Sequence, residues 1–254
     1  MKSDAERSAQ YRADLDAALD ESVRPIRDSK EPIGILYSGG VDSSVLAWEL
    51  RLRPGVRLYT VGREGSPDLR AGQAGAARMA LDWSGITVDP TDVRGTVSRY
   101  APELAELPWV TRTVLVALAV AIDRVPSAHL LCGQAVDELF LGYAHYRGLD
   151  TVDAERRSLK DLERLRTVDW PRTQRIATRA GKEIGAPFLS PAFVGAALRV
   201  PIELRAAANP PKRFFRDWAI GRGLPSELAE RPKRAMQYGS GISATLRAIE
   251  RAPR

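Results

Sequence analysis

The stretch Ile33-Gly-Ile-Leu-Tyr-Ser-Gly-Gly-Val-Asp-Ser-Ser-Val-Leu-Ala47 decides how the whole chain is read. Its first five residues form a short continuous apolar run, the pattern of a strand buried on both faces of a parallel sheet. The run stops at Ser38-Gly39-Gly40 and restarts as a helix with Asp42, Ser43 and Ser44 at its beginning. A strand that turns through glycines into a helix gathers backbone N–H groups, hydroxyl donors and the positive end of the helix dipole in one small volume. Glycines there let an anion approach closely. The stretch predicts a phosphate cradle. It is not a P-loop, because no Gly-x4-Gly-Lys-Ser/Thr occurs, and a Gly-x-Gly-x-x-Gly dinucleotide fingerprint is also absent. Asp42 adds a constraint, since a carboxylate beside phosphates is repulsive unless a divalent cation lies between them. Magnesium is therefore expected.

The flanking sequence alternates between two periodicities. Residues 5–21 carry Tyr11, Leu15 and Leu19 at fourfold spacing and predict a helix. Strands are predicted at 33–37, 57–61, 85–89 and 128–132, with helices after Ser43-Ser44, over 68–83 and around 113–124 between them. Alternating strands and helices predict an α/β, doubly wound parallel sheet whose ligand sits where strand ends meet helix starts. Beyond about Asp150 the strand signals stop. Prolines from Pro171 to Pro232 punctuate short helical patterns, so the C-terminal part is expected to be mostly helical. The expected organisation is an N-terminal helix and connection over 1–30, an α/β core over 31–150 and a helical part over 151–254 that completes the active site.

Composition narrows the function classes. The chain has 254 residues, 44% hydrophobic and 28% charged, as in ordinary globular proteins. The longest apolar run, Val114 to Ile122, is far shorter than the roughly 20 residues of a membrane span, and the start MKSDAERSAQ is no secretory signal. A cytoplasmic location without membrane attachment is the expectation. One cysteine and two histidines exclude a disulfide framework and a Cys/His zinc site, so any metal must be held by carboxylates. A net charge of +6 would suit a polyanion such as tRNA, but the bases alternate with acids along helices, as in residues 154–166. Of 38 basic residues only Lys2, Lys30, Lys160, Lys182, Lys212 and Lys233 are lysine. Where this arginine-rich chain keeps a compact ammonium, the position carries information.

Four segments in order carry a family resemblance. Ser38-Gly-Gly-Val-Asp-Ser-Ser44 resembles the pyrophosphate loop of the N-type ATP pyrophosphatases, the adenine nucleotide α-hydrolase-like superfamily. Leu131-Cys-Gly-Gln-Ala-Val-Asp-Glu-Leu-Phe-Leu-Gly-Tyr143 resembles the Ser-Gly-x-Gly-x-Asp-Glu-Leu-Phe-x-Gly-Tyr segment of asparagine synthetases and β-lactam synthetases. Asp169 with the run Arg175 to Arg179, then Gly181-Lys-Glu-Ile-Gly-Ala-Pro-Phe-Leu189, resembles a stretch ending in Glu-x-Arg-x-Pro-Phe-Leu-Asp. Leu224-Pro and Arg231-Pro-Lys-Arg-Ala-Met236 resemble the Leu-Pro and Arg-x-Lys segments.

The resemblance implies an ATP-dependent ligase that adenylates a carboxylate, releases pyrophosphate and passes the acyl group to ammonia or an amine. It implies that Ser38, Gly39, Gly40, Ser43 and Ser44 cradle phosphates and that adenine lies near Leu36, Val61 and Gly62. Gly133 and Gln134 would also face the nucleotide, and Asp42 and Asp137 would hold magnesium on the pyrophosphate. Lys233 matches a lysine placed by the α-phosphate, and Lys212 is a second candidate for stabilising developing charge.

Departures from the family pattern shape the rest. Gln134 stands where asparagine synthetases have glutamate and β-lactam synthetases tyrosine, and glutamine cannot be a general base, so Glu183 becomes the candidate. Glutamine-using members begin with a catalytic cysteine at residue 2, where this chain has Lys2. Ammonia is then expected from solution or from a separate glutaminase subunit, unless the amine belongs to another substrate. Two alternatives remain: an adenylating enzyme acting on tRNA or another polyanion, and a non-enzymatic nucleotide-binding regulator.

Overall fold

The structure, a computed structural model, describes residues 3–206, 210–232 and 235–251. Five strands, β1 (Ile33–Leu36), β2 (Val56–Gly62), β3 (Trp83–Thr87), β4 (His129–Leu131) and β5 (Glu183–Gly185), form one parallel sheet in the order β3-β2-β1-β4-β5. From β1 the chain steps outward to β2 and β3, then returns to the other side of β1 at β4. The order reverses between β1 and β4, and the crevice beyond their C-terminal ends is where such sheets take ligands. This is the doubly wound α/β architecture that the alternating sequence predicts. Central β1 is buried along its whole length, whereas edge strand β3 is only partly covered.

The chain divides into two compact units. The sheet unit comprises Lys30–Cys132, Asp169–Gly185 and Arg231–Arg254. It contains α2 (Val41–Glu49), α3 (Pro67–Arg78) and the helix Trp109–Arg124, whose residues from Leu115 to Ile122 are all buried. The helical unit comprises Met1–Ser29, Gly133–Val168 and Ala186–Glu230. All five phenylalanines of the chain, Phe140, Phe188, Phe193, Phe214 and Phe215, lie in it and pack with Trp218 at ring separations of 4.9–6.5 Å. The N-terminal helix α1 (Asp4–Asp28) belongs to this core, because its Asp16 accepts hydrogen bonds from the Trp218 indole and the Arg222 guanidinium, each at 2.8 Å.

Three local departures from the expected elements have physical reasons. The helix expected over 68–83 ends at Arg78, where Ala80 takes a left-handed φ of 53° and turns the chain into β3. An alanine in that conformation gives no turn signal in sequence. Trp83 thereby joins the strand, and its indole donates to Thr60 Oγ1 at 2.9 Å. A helix, Pro90–Arg99, starts at a capping box on Asp89. Strand β5 lies beyond residue 150, where strand signals were expected to stop. It has three residues with one buried side chain, too little for a period to show.

Lys182, just ahead of β5, closes the far end of the helix Trp109–Arg124. Its ammonium donates to the carbonyls of Ile122, Asp123 and Val125, the last at 2.5 Å. Terminal carbonyls without intrahelical partners are satisfied, and a cation meets the negative end of the dipole. Lys182→Met keeps the length of the stem but removes these bonds. It should cost about 1–2 kcal/mol in equilibrium urea unfolding, and an unchanged midpoint would show that water replaces the ammonium at no cost.

Candidate functional site

In the sheet unit, β1 runs into Tyr37 and Ser38 and turns at Gly39, whose φ is 69°. A Cβ on Gly39 would lie 2.8 Å from Arg231 Nη1 and 3.0 Å from Ala71 Cβ, so glycine is required by conformation and by space. Arg231 donates to the Gly39 carbonyl at 2.6 Å and braces the turn from the C-terminal segment. Gly40 caps α2 without a side-chain bond, and the first bond of the helix runs from Ser44 N–H to Gly40 O. The N–H groups of Val41, Asp42 and Ser43 come before that bond, as a helix N-terminus presents them. The hydroxyls are partly committed. Ser43 Oγ donates to the Gly40 carbonyl at 3.2 Å, and Ser44 Oγ pairs with the Tyr37 hydroxyl at 3.1 Å inside the core. Asp42 sits in the first helical turn and is 6% exposed.

Beside this turn lies a narrow cleft, lined by Leu36 and Ser38 from the end of β1, Val61 from β2, Asp68 from α3 and Met236 and Ile242 from the C-terminal segment. The C-terminal segment is stitched to the end of β2, where Arg63 N–H donates to Ser240 O at 2.8 Å. Gly62 leaves room for that approach, since a Cβ there would lie 3.2 Å from Ser240 O and 3.3 Å from its Cα. The sheet unit therefore brings together Leu36, Ser38, Gly39, Gly40, Asp42, Ser43, Ser44, Val61 and Gly62. Two residues that sequence reasoning did not assign also belong here. Arg231 was visible only as part of a motif. Asp68, 2% exposed and packed over Gly239, follows a capping serine in Ser66-Pro67-Asp68, which reads as an ordinary helix start.

The helical unit holds the second group. Gly133 and Gln134 lead into Ala135, which caps the short helix Val136–Leu139 with a left-handed φ of 86°. The family pattern has glycine at this position. Asp137 Oδ1 lies 2.5 Å from the Lys212 ammonium, whose side chain is 8% exposed. Both groups lie over Gly142, where a Cβ would come within 2.0 Å of Asp137 Oδ1 and 2.1 Å of Lys212 Cε. Gly133, Gln134, Asp137 and Lys212 thus share one unit.

Glu183 does not lie at the cradle. It begins β5 in register with His129 and, through β4, with Ile33, at the N-terminal edge of the sheet. The cradle follows the opposite, C-terminal edge, roughly 10 Å along the strands by the rise per residue. Its exposed carboxylate lies 3.3 Å from His129 Nδ1. The structure thus places Glu183, the general base expected from its motif, apart from the residues gathered at the turn after β1. Lys233 lies outside the described residues. Among the described residues no three His, Cys, Asp or Glu cluster to hold a metal. A magnesium ion bound by acids here would draw most of its ligands from phosphate and water, as this small hard ion does with nucleotides.

A sequence model for asparagine synthase matches residues 14–160 and 150–252. The chain belongs to the asparagine synthase family. A Methanocaldococcus jannaschii protein assigned as a glutamine-hydrolysing asparagine synthetase is 31% identical over 266 residues, covering 89% of this chain and 49% of that protein. Asparagine synthetase B of Escherichia coli K12 is 25% identical over 257 residues, 91% of this chain and 45% of that one. The chain spans about half the length of the curated relatives it matches. Among solved structures, an ammonia-dependent NAD synthetase from Campylobacter jejuni superposes with a TM-score of 0.38 at 14% identity, over 67% of this chain and 93% of that one. No helix among the described residues is long and apolar enough to cross a membrane.

The Asp-Glu-Leu-Phe segment of this asparagine synthase family chain contains a strongly perturbed carboxyl. Glu138 is buried; its Oε1 accepts from the Tyr143 hydroxyl at 2.8 Å, and Oε2 has no hydrogen-bond partner among the described residues. Burial pushes its pKa up to about 8, the Asp137 charge adds to this, and the Tyr143 hydroxyl and Lys212 ammonium act against it. A carboxyl raised in the folded state binds a proton that the unfolded chain has released. Its contribution is full below the unfolded value and is lost as pH rises through the folded one. In metal-free buffer the protein should lose on the order of a few kcal/mol between about pH 5 and pH 8 from this group. Glu138→Gln should flatten that part of the profile in urea unfolding, and an equal slope in both proteins would remove Glu138 as its source.

Proposed function

We propose that the chain is an ATP-dependent amide-forming ligase that adenylates a carboxylate, releases pyrophosphate and transfers the acyl group to ammonia or an amine. The observation that carries this reading is the turn after β1. There the left-handed Gly39, the α2 N-terminus and the buried Asp42 combine an anion-accepting backbone with one carboxylate. Such a cradle suits the β- and γ-phosphates as a leaving group, because it offers N–H donors and no lysine to follow a transferred γ-phosphoryl. Leu36 and Val61, at the ends of β1 and β2, and Gly62 are the proposed contacts of adenine.

Asp42 and Asp137 are the acids proposed for magnesium, and the donor chemistry fits in each unit. Asp42 is a buried carboxylate in the first turn behind an anion cradle, and Asp137 already accepts a cation, the ammonium of Lys212. When bound, magnesium would neutralise charge on the departing pyrophosphate. Gly133 and Gln134 are proposed nucleotide contacts, and Lys233 is the proposed donor to charge that grows during adenylation. A small carboxylate and ammonia or an amine are the proposed substrates, with a separate glutaminase as one source of ammonia. A cytoplasmic location accords with this chemistry.

Pyrophosphate exchange into ATP, screened against a panel of carboxylic acids, tests the reaction. Acid-dependent exchange with AMP as the nucleotide product is expected, and acid-dependent ADP and orthophosphate without AMP would overturn the assignment. Asp42→Asn should raise the magnesium requirement. Lys233→Ala should lower kcat by about two to four orders of magnitude, as when a preorganised donor is lost, with ATP affinity changed much less. Lys233→Arg should also be poor, because a planar guanidinium cannot take the place of a point charge.

A further inference from the structure

The Lys212–Asp137 pair lies where the helical unit stores backbone strain. Of the described non-glycine residues with positive φ, the three in this unit are Ala135 at 86°, Leu141 at 51° and Lys212 at 63°. The first two bracket the helix that carries Asp137, and the third is its ion-pair partner. Such conformations persist only where the surroundings over-determine them. The surroundings here include Gly142, whose N–H donates to the Asp137 carbonyl at 2.9 Å and whose missing Cβ leaves the space that the two charged side chains occupy.

An ion pair of this kind is a poor device for stability alone, because the cost of desolvating two charges about equals their attraction. In a chain that uses arginine for nearly all its cations, the residue kept here is lysine. Its ammonium is compact, carries one charge and can leave a carboxylate by rotating a flexible stem, whereas a guanidinium would clamp both oxygens. Asp137 remains 30% exposed at its side chain, while Lys212 is covered.

We propose that Lys212 is a tethered counter-cation that occupies Asp137 until a divalent metal arrives with nucleotide, and that it thereby sets the metal affinity of that acid. This rests on the reading of Asp137 as a magnesium ligand. Lys212 then acts through Asp137, as a positioning residue, and not on the reacting atoms. The consequence has an unusual sign. A lysine that only supported the fold, or only bound phosphate, would weaken metal binding when removed. Removing a competing cation strengthens it, because an ammonium and a divalent ion within a few ångströms repel each other.

The test counts free Mn2+ by electron paramagnetic resonance while metal is titrated into protein saturated with α,β-methylene-ATP, so that no turnover is involved. Lys212→Gln and the longer, apolar Lys212→Met should each bind Mn2+ about tenfold more tightly than wild type. Lys212→Arg, which keeps the charge, should not gain. Asp137→Asn should weaken binding, and Lys212→Gln combined with Asp137→Asn should bind no more tightly than Asp137→Asn alone. If Asp137→Asn weakens binding but neither neutral Lys212 variant tightens it, the counter-cation proposal fails and the metal reading of Asp137 stands. If Asp137→Asn binds Mn2+ as wild type does, the metal reading itself fails and the proposal falls with it. Thermal unfolding of each variant confirms that the comparison is between folded proteins.

Discussion

Gly39 is the residue on which the sheet unit turns. Strand β1 is buried on both faces, so its direction is fixed by β2 and β4 and cannot adjust to the helix that comes after it. The chain must therefore reverse into α2 within the three residues Ser38, Gly39 and Gly40, and the left-handed φ of Gly39 makes that reversal. Any side chain at this position would have to displace both Arg231 and α3 through Ala71. The constraint explains why the C-terminal segment returns to the sheet. Arg231 satisfies the carbonyl that the turn exposes, and Ser240 accepts from Arg63 past the end of β2. The same turn aims the leading N–H groups of α2 along the direction of β1, with the Arg231 guanidinium held beside them on the Gly39 carbonyl.

The helical unit obeys a different constraint. Its aromatic core needs no polar group, yet Glu138, Asp137, Lys212 and Arg205 are packed close to it. Arg205 is 1% exposed and donates to the carbonyls of Val200 and Leu139 and to Glu155. That guanidinium ties the backbone of the Asp-Glu-Leu-Phe helix to the segment after Pro201. Ser158 adds a second tie, donating to the Glu138 carbonyl at 2.8 Å. These bonds to backbone carbonyls hold in place a helix of four residues that could not persist alone. They also supply the over-determination that left-handed Ala135 and Leu141 require.

The fold was legible because parallel strands buried on both faces read as apolar runs, continuous in β1 and interrupted by Arg57 and Thr60 in β2. Strand β5 was not, since its pairing with β4 comes from tertiary context that three residues cannot encode. The turn after β1 was legible because glycines between an apolar run and a helix start mark a tight strand-to-helix junction. The place of Glu183 in the sheet was hidden for the complementary reason. A motif gives the order of residues along a chain but not the edge of the sheet on which a side chain falls, and one strand length separates the two edges. The Lys212–Asp137 contact was hidden because its partners are far apart in sequence and no periodicity links them. The only signal available was the rarity of lysine.

That rarity has a common physical basis at Lys182 and Lys212. Lys182 converges on three carbonyl oxygens at a helix end, and Lys212 on one carboxylate oxygen over a glycine. In both places the acceptors surround a point, and three rotatable N–H donors on a slender stem can reach a point from within the protein. Some arginines of this chain instead bridge separated acceptors: Arg179 reaches Glu103 and the Arg99 carbonyl, and Arg222 reaches from Asp16 to Asp20. A planar fork suits such extended acceptors and resists leaving them. At Asp137 the acceptor has the shape that a small hard cation also prefers, which is why an ammonium can stand there and a guanidinium would not serve.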